Sequence, residues 1–527
     1  MDDLNSSNQD STVRANKPDL EELLNIFDGD GFELFHDQNQ EAYIAFLDKG
    51  TRVIKLSSKE FKNWISNYSW TYLQYALPTE TLNKVIQILS GKACYHGEEH
   101  ILAVRHFMDN LGLWYDCGDG SAIHITPDGW RLTNRVPIMF RRFSHQKPQV
   151  WPIKEGSLDL LSRYINLKNK DDLLLFYVYI VAAFIPDIPH PLLILHGPQG
   201  AGKTTPMRVM KAIIDPSTIQ SLPPPSDLQS FAQIASHHSC FFFDNLTHLP
   251  QWLSDALARV STGDGFSKRA LYTDDEDIIY TLQKTVALNG ITQVVTKPDL
   301  LDRSILLSLK RISPKKRKSE QDFWAQFEED RPAILGSIYE ILSNAMAIYP
   351  TVELKELPRM ADFAKWGYAI AEAAGFTGQR FIDAYTANIK IQNDEAIEAN
   401  PVAQALLALS EESGSWQGTA AQLLLELNEY ASVLQLDKSY GWPKDAARLG
   451  KIITQILPNL EAKGVVLKKE NVKNERMIYI SKSTESTVST VLNEAGNSID
   501  PVAAQAVKTV FGEVKNVENP EIVFGEE

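Results

Sequence analysis

The chain is poor in cysteine. Cys94, Cys117 and Cys240 are the only three in 527 residues, and no two fall in a CxxC spacing. That excludes a disulfide framework and a cysteine-rich zinc site, and it fits a reducing cytosol. Cys94, His96 and His100 lie close in sequence but match no standard ligand spacing. Long apolar runs are also missing. The longest, Leu173 to Ile185, has 13 residues; this is too short to span a bilayer and reads as a buried helix. The opening residues, MDDLNSSNQD, lack the basic and apolar regions of a signal peptide. Positive charge is in deficit, with 52 Lys and Arg against 67 Asp and Glu for a net of −15. A uniformly acidic surface repels nucleic acid, so any such contact must come from a local concentration of basic residues. No internal repeat is present. The expectation is a cytoplasmic chain with no membrane partner.

What remains is ordinary globular composition, 44% hydrophobic and 23% charged, in a chain long enough for several domains. One segment stands out. Leu192 to Leu195 is an apolar run that leads directly into Gly197-Pro-Gln-Gly200-Ala201-Gly202-Lys203-Thr204. The pattern G-x-x-x-x-G-K-T between a strand and a helix is a phosphate-binding loop. Gly197, Gly200 and Gly202 let the backbone turn tightly and aim its N–H groups at a triphosphate. Ala201 and Thr205 complete the expected contact set. Lys203 would reach the β- and γ-phosphates, and the Thr204 hydroxyl would hold Mg²⁺. The implied cofactors are ATP and Mg²⁺.

The surrounding pattern is organised. Residues 1–20 are polar and expected to be disordered. Residues 21–150 form an α+β domain. Strands are expected at Phe32–Phe35 and Ala42–Phe46, helices at Leu82–Leu89 and His100–Leu111, and a β-meander over 113–143. Arg141 and Arg142, flanked by Phe140 and Phe143, end that meander. Pro148–Pro152 reads as a linker, followed by two helices over 157–185. Strands and helices alternate from 192 to about 312, which implies a mostly parallel sheet. Residues 320–395 are helical in period, 402–482 form a further unit, and 483–527 read as an acidic disordered tail.

Three more signals follow the loop in order. Cys240-Phe-Phe-Phe-Asp244-Asn245 is an apolar strand ending in an aspartate, which would hold Mg²⁺ opposite Thr204. Asn245 can orient a water but cannot take its proton, so the identity of the base stays open. Residues 262–290 read as a hairpin, with strands at 268–272 and 278–282, followed by a buried strand with Asn289 at its polar tip. Asp299-Leu-Leu-Asp-Arg303 then places an arginine that could reach the nucleotide of a neighbouring subunit.

Taken together, GPQGAGKT, FFFDN, the TGDG…KRALY…ALNG block and DLLDR resemble the AAA+ replicative helicases of mobile genetic elements. These are the superfamily 3 and phage or plasmid primase-associated ATPases, with kinship to the minichromosome-maintenance helicases. The resemblance implies an α/β fold class: an AAA+ P-loop core with a mostly parallel sheet over 155–345, and a helical extension over 346–400. It implies an ATP hydrolase that unwinds DNA as a homo-oligomer, expected to be a hexamer. Lys203, Asp244, Asn245, Asn289 and Arg303 would be its catalytic residues, and the hairpin would project into a pore around single-stranded DNA. Two features depart from the pattern. Asn245 stands where an acid is usual, and the hairpin tip, Thr273-Asp-Asp-Glu-Asp277, is acidic. DNA contact is therefore expected from Lys268, Arg269 and Lys284. The departures also keep open a nucleic-acid-dependent switch, loader or defence NTPase that does not unwind.

The carboxy-terminal unit points to nucleic acid independently. A helix from about Trp442 is followed by strands at Val465–Lys468 and Met477–Ile480, the order of a winged helix over 401–482. Residues 438–482 hold ten basic and four acidic side chains, a local excess of positive charge inside an acidic chain. Lys444, Arg448, Lys451, Lys468 and Lys469 are the candidate contacts to duplex DNA. Pro314-Lys-Lys-Arg-Lys318 resembles a nuclear-localisation string and is read as a surface loop.

Overall fold

The computed structural model describes residues 18–47, 50–246, 249–263, 265–269, 277–281, 283–290, 298–313, 317–398, 400–436, 441–472 and 475–482. The two segments expected to be disordered fall outside them, apart from residues 18–20. Contacts divide the chain into two units, Met1–Asn393 and Asp394–Glu527.

The first unit opens with α1 (Leu20–Asn25), started by a reciprocal capping box between Asp19 and Glu22. β1 (Phe32–His36), β2 (Ala42–Phe46) and β3 (Arg52–Lys55) form an antiparallel meander. Helices α2 (Lys59–Leu73) and α3 (Thr79–His96) cover it, enclosing Ile44, Ile54, Phe61, Ile65 and Leu89. A second antiparallel sheet follows in chain order: β4 (His106–Asp109), β5 (Gly112–Asp116), β6 (Ala122–Thr126) and β7 (Gly129–Thr133). The helix expected at His100–Leu111 does not form. Arg105 takes a left-handed backbone at φ 66°, Ala103 bridges to Phe140, and Asp109 accepts the N–H groups of Leu111 and Gly112 in a turn.

Pro148–Pro152 is not a free linker either. Gln149 is 5% exposed. Its amide donates to the Ile213 carbonyl at 2.8 Å and to the Tyr115 hydroxyl at 3.0 Å. A 3₁₀ turn at Leu158–Arg163 leads to α4 (Lys170–Ala182), which is apolar on every side and buried on every side. Leu113, Tyr115 and Ile123 of the amino-terminal layer share one core with α4 and with Leu193 of the next sheet.

That next sheet holds the site. β8 (Leu192–His196) is followed by α5 (Thr204–Ile214), α6 (Leu228–His237), β9 (Cys240–Leu246), α7 (Gln251–Thr262), the antiparallel pair β10 (Gly265–Arg269) and β11 (Asp277–Thr281), β12 (Thr285–Gly290), α8 (Pro298–Leu301) and β13 (Ser304–Ser308). Its order is β13-β8-β12-β9, with every neighbouring pair parallel. The strands are nearly all apolar because both faces are covered. α9 (Glu320–Ile348), α10 (Ala361–Ala373) and α11 (Gly378–Glu398) complete the helical part.

The second unit contains α12 (Pro401–Ser413), β14 (Ser415–Thr419), α13 (Ala420–Val433), α14 (Ala446–Ala462), β15 (Val465–Val472) and β16 (Glu475–Lys482). Its antiparallel sheet has the order β14-β16-β15. Leu406, Leu409, Leu427, Ile453, Leu460 and Ile480 form an apolar core. Pro458 lies within α14, which continues through it to Ala462.

Candidate nucleotide-binding site

The loop from Gly197 to Lys203 joins β8, an inner strand, to α5. Gly200 and Gly202 adopt left-handed backbone at φ 79° and 72°, a form that turns successive N–H groups toward one side and makes an anion cradle. A Cβ on Gly197 would stand 2.8 Å from the Leu309 carbonyl oxygen, so only glycine fits beside that strand end. Ala201 is buried, and Thr204 and Thr205 are half-buried at the start of α5. The first turn of α5 carries no acidic residue and no side-chain cap, which leaves its positive end for an anion. Lys203 arches over the loop and donates to the Gly197 carbonyl at 2.9 Å.

Parallel pairing brings two more groups to the same end of the sheet. Asn289 on β12 is opposite Leu195 on β8, and Leu288 is opposite Phe243 on β9. Asn289 is 1% exposed. Its Oδ1 accepts the Asn245 N–H at 2.9 Å, and its amide donates to Met207 Sδ of α5 at 3.0 Å. Asn245 sits at φ 57° and is exposed. Asp244 Oδ1 is buried and, among the described residues, accepts no hydrogen bond. A buried carboxylate oxygen without a donor calls for a cation, and an oxygen-only set of Asp244 with the Thr204 hydroxyl suits a hard divalent ion. Asp244 and Thr204 fit Mg²⁺, and the loop with Lys203 fits phosphate.

Arg303 is elsewhere. The strand it precedes begins opposite Leu192, whereas the loop follows His196. The two ends of β8 are about 13 Å apart. Arg303 Nη1 donates to the Ala258 carbonyl and to Thr262 Oγ1, each at 3.4 Å, at the end of α7. Within its own chain it cannot reach the phosphate loop. The backbone of the hairpin is present as β10 and β11, but the side chains of Lys268 and Arg269 and the tip residues 273–276 lie outside the description. Lys284 is half-buried rather than displayed. It lines a cavity of about 490 Å³ with His106, Asp187 and His190. Burial pushes its ammonium down, against the carboxylates of Asp215 and Asp187. Arg142 pairs with Asp116 at 2.6 Å, so it belongs to the fold.

One feature left no sequence signal. The last turn of α5 ends in a buried ion network. Asp215 accepts from Arg105 Nε and Lys211 Nζ, both at 2.8 Å. Arg105 also donates to the carbonyls of Asp116, Lys147 and Pro216, and Lys211 to that of Cys240. Burial alone would raise the Asp215 carboxyl. Lys211 and Arg105 outweigh it and hold the carboxyl far below its usual range. Burial lowers nearby His106 and His238 to about 3.

In the second unit, Arg448, Lys451 and Thr454 share one exposed face of α14 at helical spacing, while Leu449, Ile453, Ile456 and Leu460 are buried. Lys469 of β15 donates to Thr454 Oγ1 at 2.9 Å and so extends that face. Arg448 lies 3.5 Å from Asp445. Lys444 is exposed just ahead of α14, and strand alternation puts Lys468 on the other side of β15 from Lys469.

Two family matches lie on this framework. Residues 158–395 match the actinomycete integrative conjugative element replication protein family, and residues 402–495 match the RepA C-terminal domain of the same elements. The chain falls in the replication-protein family of actinomycete conjugative elements. The gap between the two matches lies beside the division between the units. No curated protein matches this replication protein. Among solved structures, an apo form of the NrS-1 C-terminal region is 10% identical, covering 89% of this chain and all of its own at a TM-score of 0.41. A second apo form, spanning its residues 305–718, is 11% identical over 88% of this chain and 99% of its own, at 0.38. A structure of JCV helicase with a substituted acetamide bound is 13% identical over 43% of this chain and 66% of its own, at 0.21. Likeness this slight carries no inference. Among the described residues no helix is long and apolar enough to cross a membrane.

Proposed function

We propose that this replication protein is an ATP-driven DNA helicase, an AAA+ motor acting as a ring. The observation that carries the reading is the buried, donorless Asp244 Oδ1, one strand away from Asn289 and two from the glycine cradle. In this reading the N–H groups of Gly200, Ala201 and Gly202 bind the phosphates of ATP. Lys203 leaves its carbonyl partners to neutralise the terminal phosphates. Thr204 and Asp244 would hold a divalent ion, which would supply further charge neutralisation. Asn289 holds the Asn245 backbone in place, and the Asn245 carboxamide orients water without accepting its proton. Arg303, remote from its own loop, serves the site of an adjacent subunit. The β10–β11 hairpin follows one DNA strand through the ring. The second unit has the element order helix, strand, helix, helix, strand, strand, and its basic face on α14 supports a winged helix on duplex DNA.

A second reading has one observation in its favour. With asparagine at position 245, a nucleotide-gated loader or switch needs no fast hydrolysis. The deciding experiment measures ATP turnover by the full chain with and without single-stranded DNA, together with strand separation on a forked duplex. DNA-stimulated turnover with unwinding supports the motor. Stimulated turnover with intact forks favours the switch. Failure to retain ATP in magnesium buffer ends both.

A further inference from the structure

The segment that follows β13 passes over the phosphate loop. Leu309 N–H donates to the His196 carbonyl at 2.9 Å, and Ile312 N–H to the Gly200 carbonyl at 3.3 Å. The Ile312 side chain comes within 3.0 Å of where a Cβ on Gly202 would be. The far end of the segment is anchored as well. Arg208, one turn into α5, pairs with Glu320 at 2.6 Å and lies 4.6 Å over the Trp324 ring. Ser319 caps α9 by accepting the Asp322 N–H. Between these anchors stands Arg317. Its Nη2 is 3.9 Å from the position a Cβ would take on Gly200.

Arg317 is exposed, and among the described residues no hydrogen bond or ion pair engages it. The carboxylates nearest in sequence are committed elsewhere, Glu320 to Arg208 and Asp322 to the Ser319 hydroxyl. An unpaired guanidinium therefore stands beside a cradle of N–H groups, a helix N-terminus and the Lys203 ammonium. Guanidinium presents a planar fork that matches phosphate oxygens two at a time, which an ammonium cannot do. The basic string at 314–318 is thus more than a solvated loop at its Arg317 position; residues 314–316 lie outside the description.

We infer that Arg317 binds the polyphosphate of the nucleotide held in its own subunit, acting in cis where Arg303 acts in trans. The inference rests on the nucleotide-binding reading above. It makes Arg317 a phosphate-contacting residue placed beside Gly200, whose carbonyl also holds Ile312.

The test uses the full chain, a fluorescent ATP analogue, steady-state turnover and mixed subunits. Arg317→Ala is expected to lower ATP affinity or turnover roughly 10- to 100-fold, the loss of one charge-assisted phosphate contact. Arg317→Lys should recover part of it, keeping the charge but not the fork. Thermal melting should not move, because the side chain is exposed and unpartnered. Mixing Arg317→Ala with Lys203→Ala subunits should restore nothing, since both residues serve one site. Mixing Arg303→Ala with Lys203→Ala should restore turnover. Wild-type affinity and turnover in Arg317→Ala, or recovery in the first mixture, overturns the assignment while leaving the nucleotide site standing. A wild-type chain that binds no ATP removes the nucleotide reading and this inference together.

Discussion

The two units are stabilised by different means. The first buries charge, with Arg105, Lys211, Asp116, Asp172 and Asp215 all inside it. In the second, no charged side chain is buried among the described residues, and its core is aliphatic. All eleven histidines fall at or before His248, so the second unit has none. A buried ion network is worth little in net stability, but it punishes any arrangement that leaves a member unpaired. The first unit is thereby held to one packing of its amino-terminal layer against the parallel sheet. The second keeps its charges in water, where they can exchange counterions for phosphates.

Acid is the strongest way to separate the two. Burial lowers His106 and His238 to about 3 and His190 to about 4. These rings are neutral when folded, whereas the unfolded chain takes up protons below about 6.5. Their contribution is complete above that pH and is lost as pH falls from 6.5 toward 3. At pH 5 each costs roughly 2 kcal/mol. Calorimetry at pH 7 and pH 5 should show the transition of the first unit falling and that of the second staying in place. Equal shifts in both would erase the distinction.

Removing one member of the network comes next. Arg105→Met leaves Asp215 with Lys211 as its one charged partner among the described residues, beside the neutral donors Gln146 and Ser239, and the loss should be about 3–5 kcal/mol, confined to the first unit in denaturant melts. A loss below about 1 kcal/mol would mean that the network relaxes without it. Lys203→Ala should cut ATP turnover by roughly 10²- to 10³-fold and shift neither melting transition, because the ammonium touches only loop carbonyls. The smallest effect is expected in the second unit. Lys451→Ala should weaken duplex binding several-fold and reduce the slope of log affinity against log salt by about 1. An unchanged slope would remove Lys451 from the interface.

What the sequence revealed was local. A strand, seven loop residues and a helix N-terminus are contiguous, so the glycine-rich loop between β8 and α5 could be seen without the rest of the fold. The hairpin was legible for the same reason, though its strands, expected at 268–272 and 278–282, lie at 265–269 and 277–281, and so was the buried strand Thr285–Gly290 that carries Asn289. The failures were contacts between distant residues. Arg105 meets Asp215 across 110 positions, and no periodicity encodes that. The apolar spacing over His100–Leu111 looked helical because buried strand ends and a left-handed Arg105 happened to mimic one face. Gln149 sat among prolines and resembled linker, although its amide closes a seam against the end of α5. Arg317 was noticed as part of a basic string, and only the folded chain shows it beside Gly200.

The helix that begins at the phosphate cradle has no slack at its other end. Its eleven residues make a strut roughly 16 Å long. Lys211 and Asp215 fasten the far tip to Arg105 and hence to the amino-terminal layer. A load applied at Thr204 cannot be absorbed by sliding that strut. It is passed through Asp215 to Arg105 and so to the amino-terminal sheet that carries Asp116.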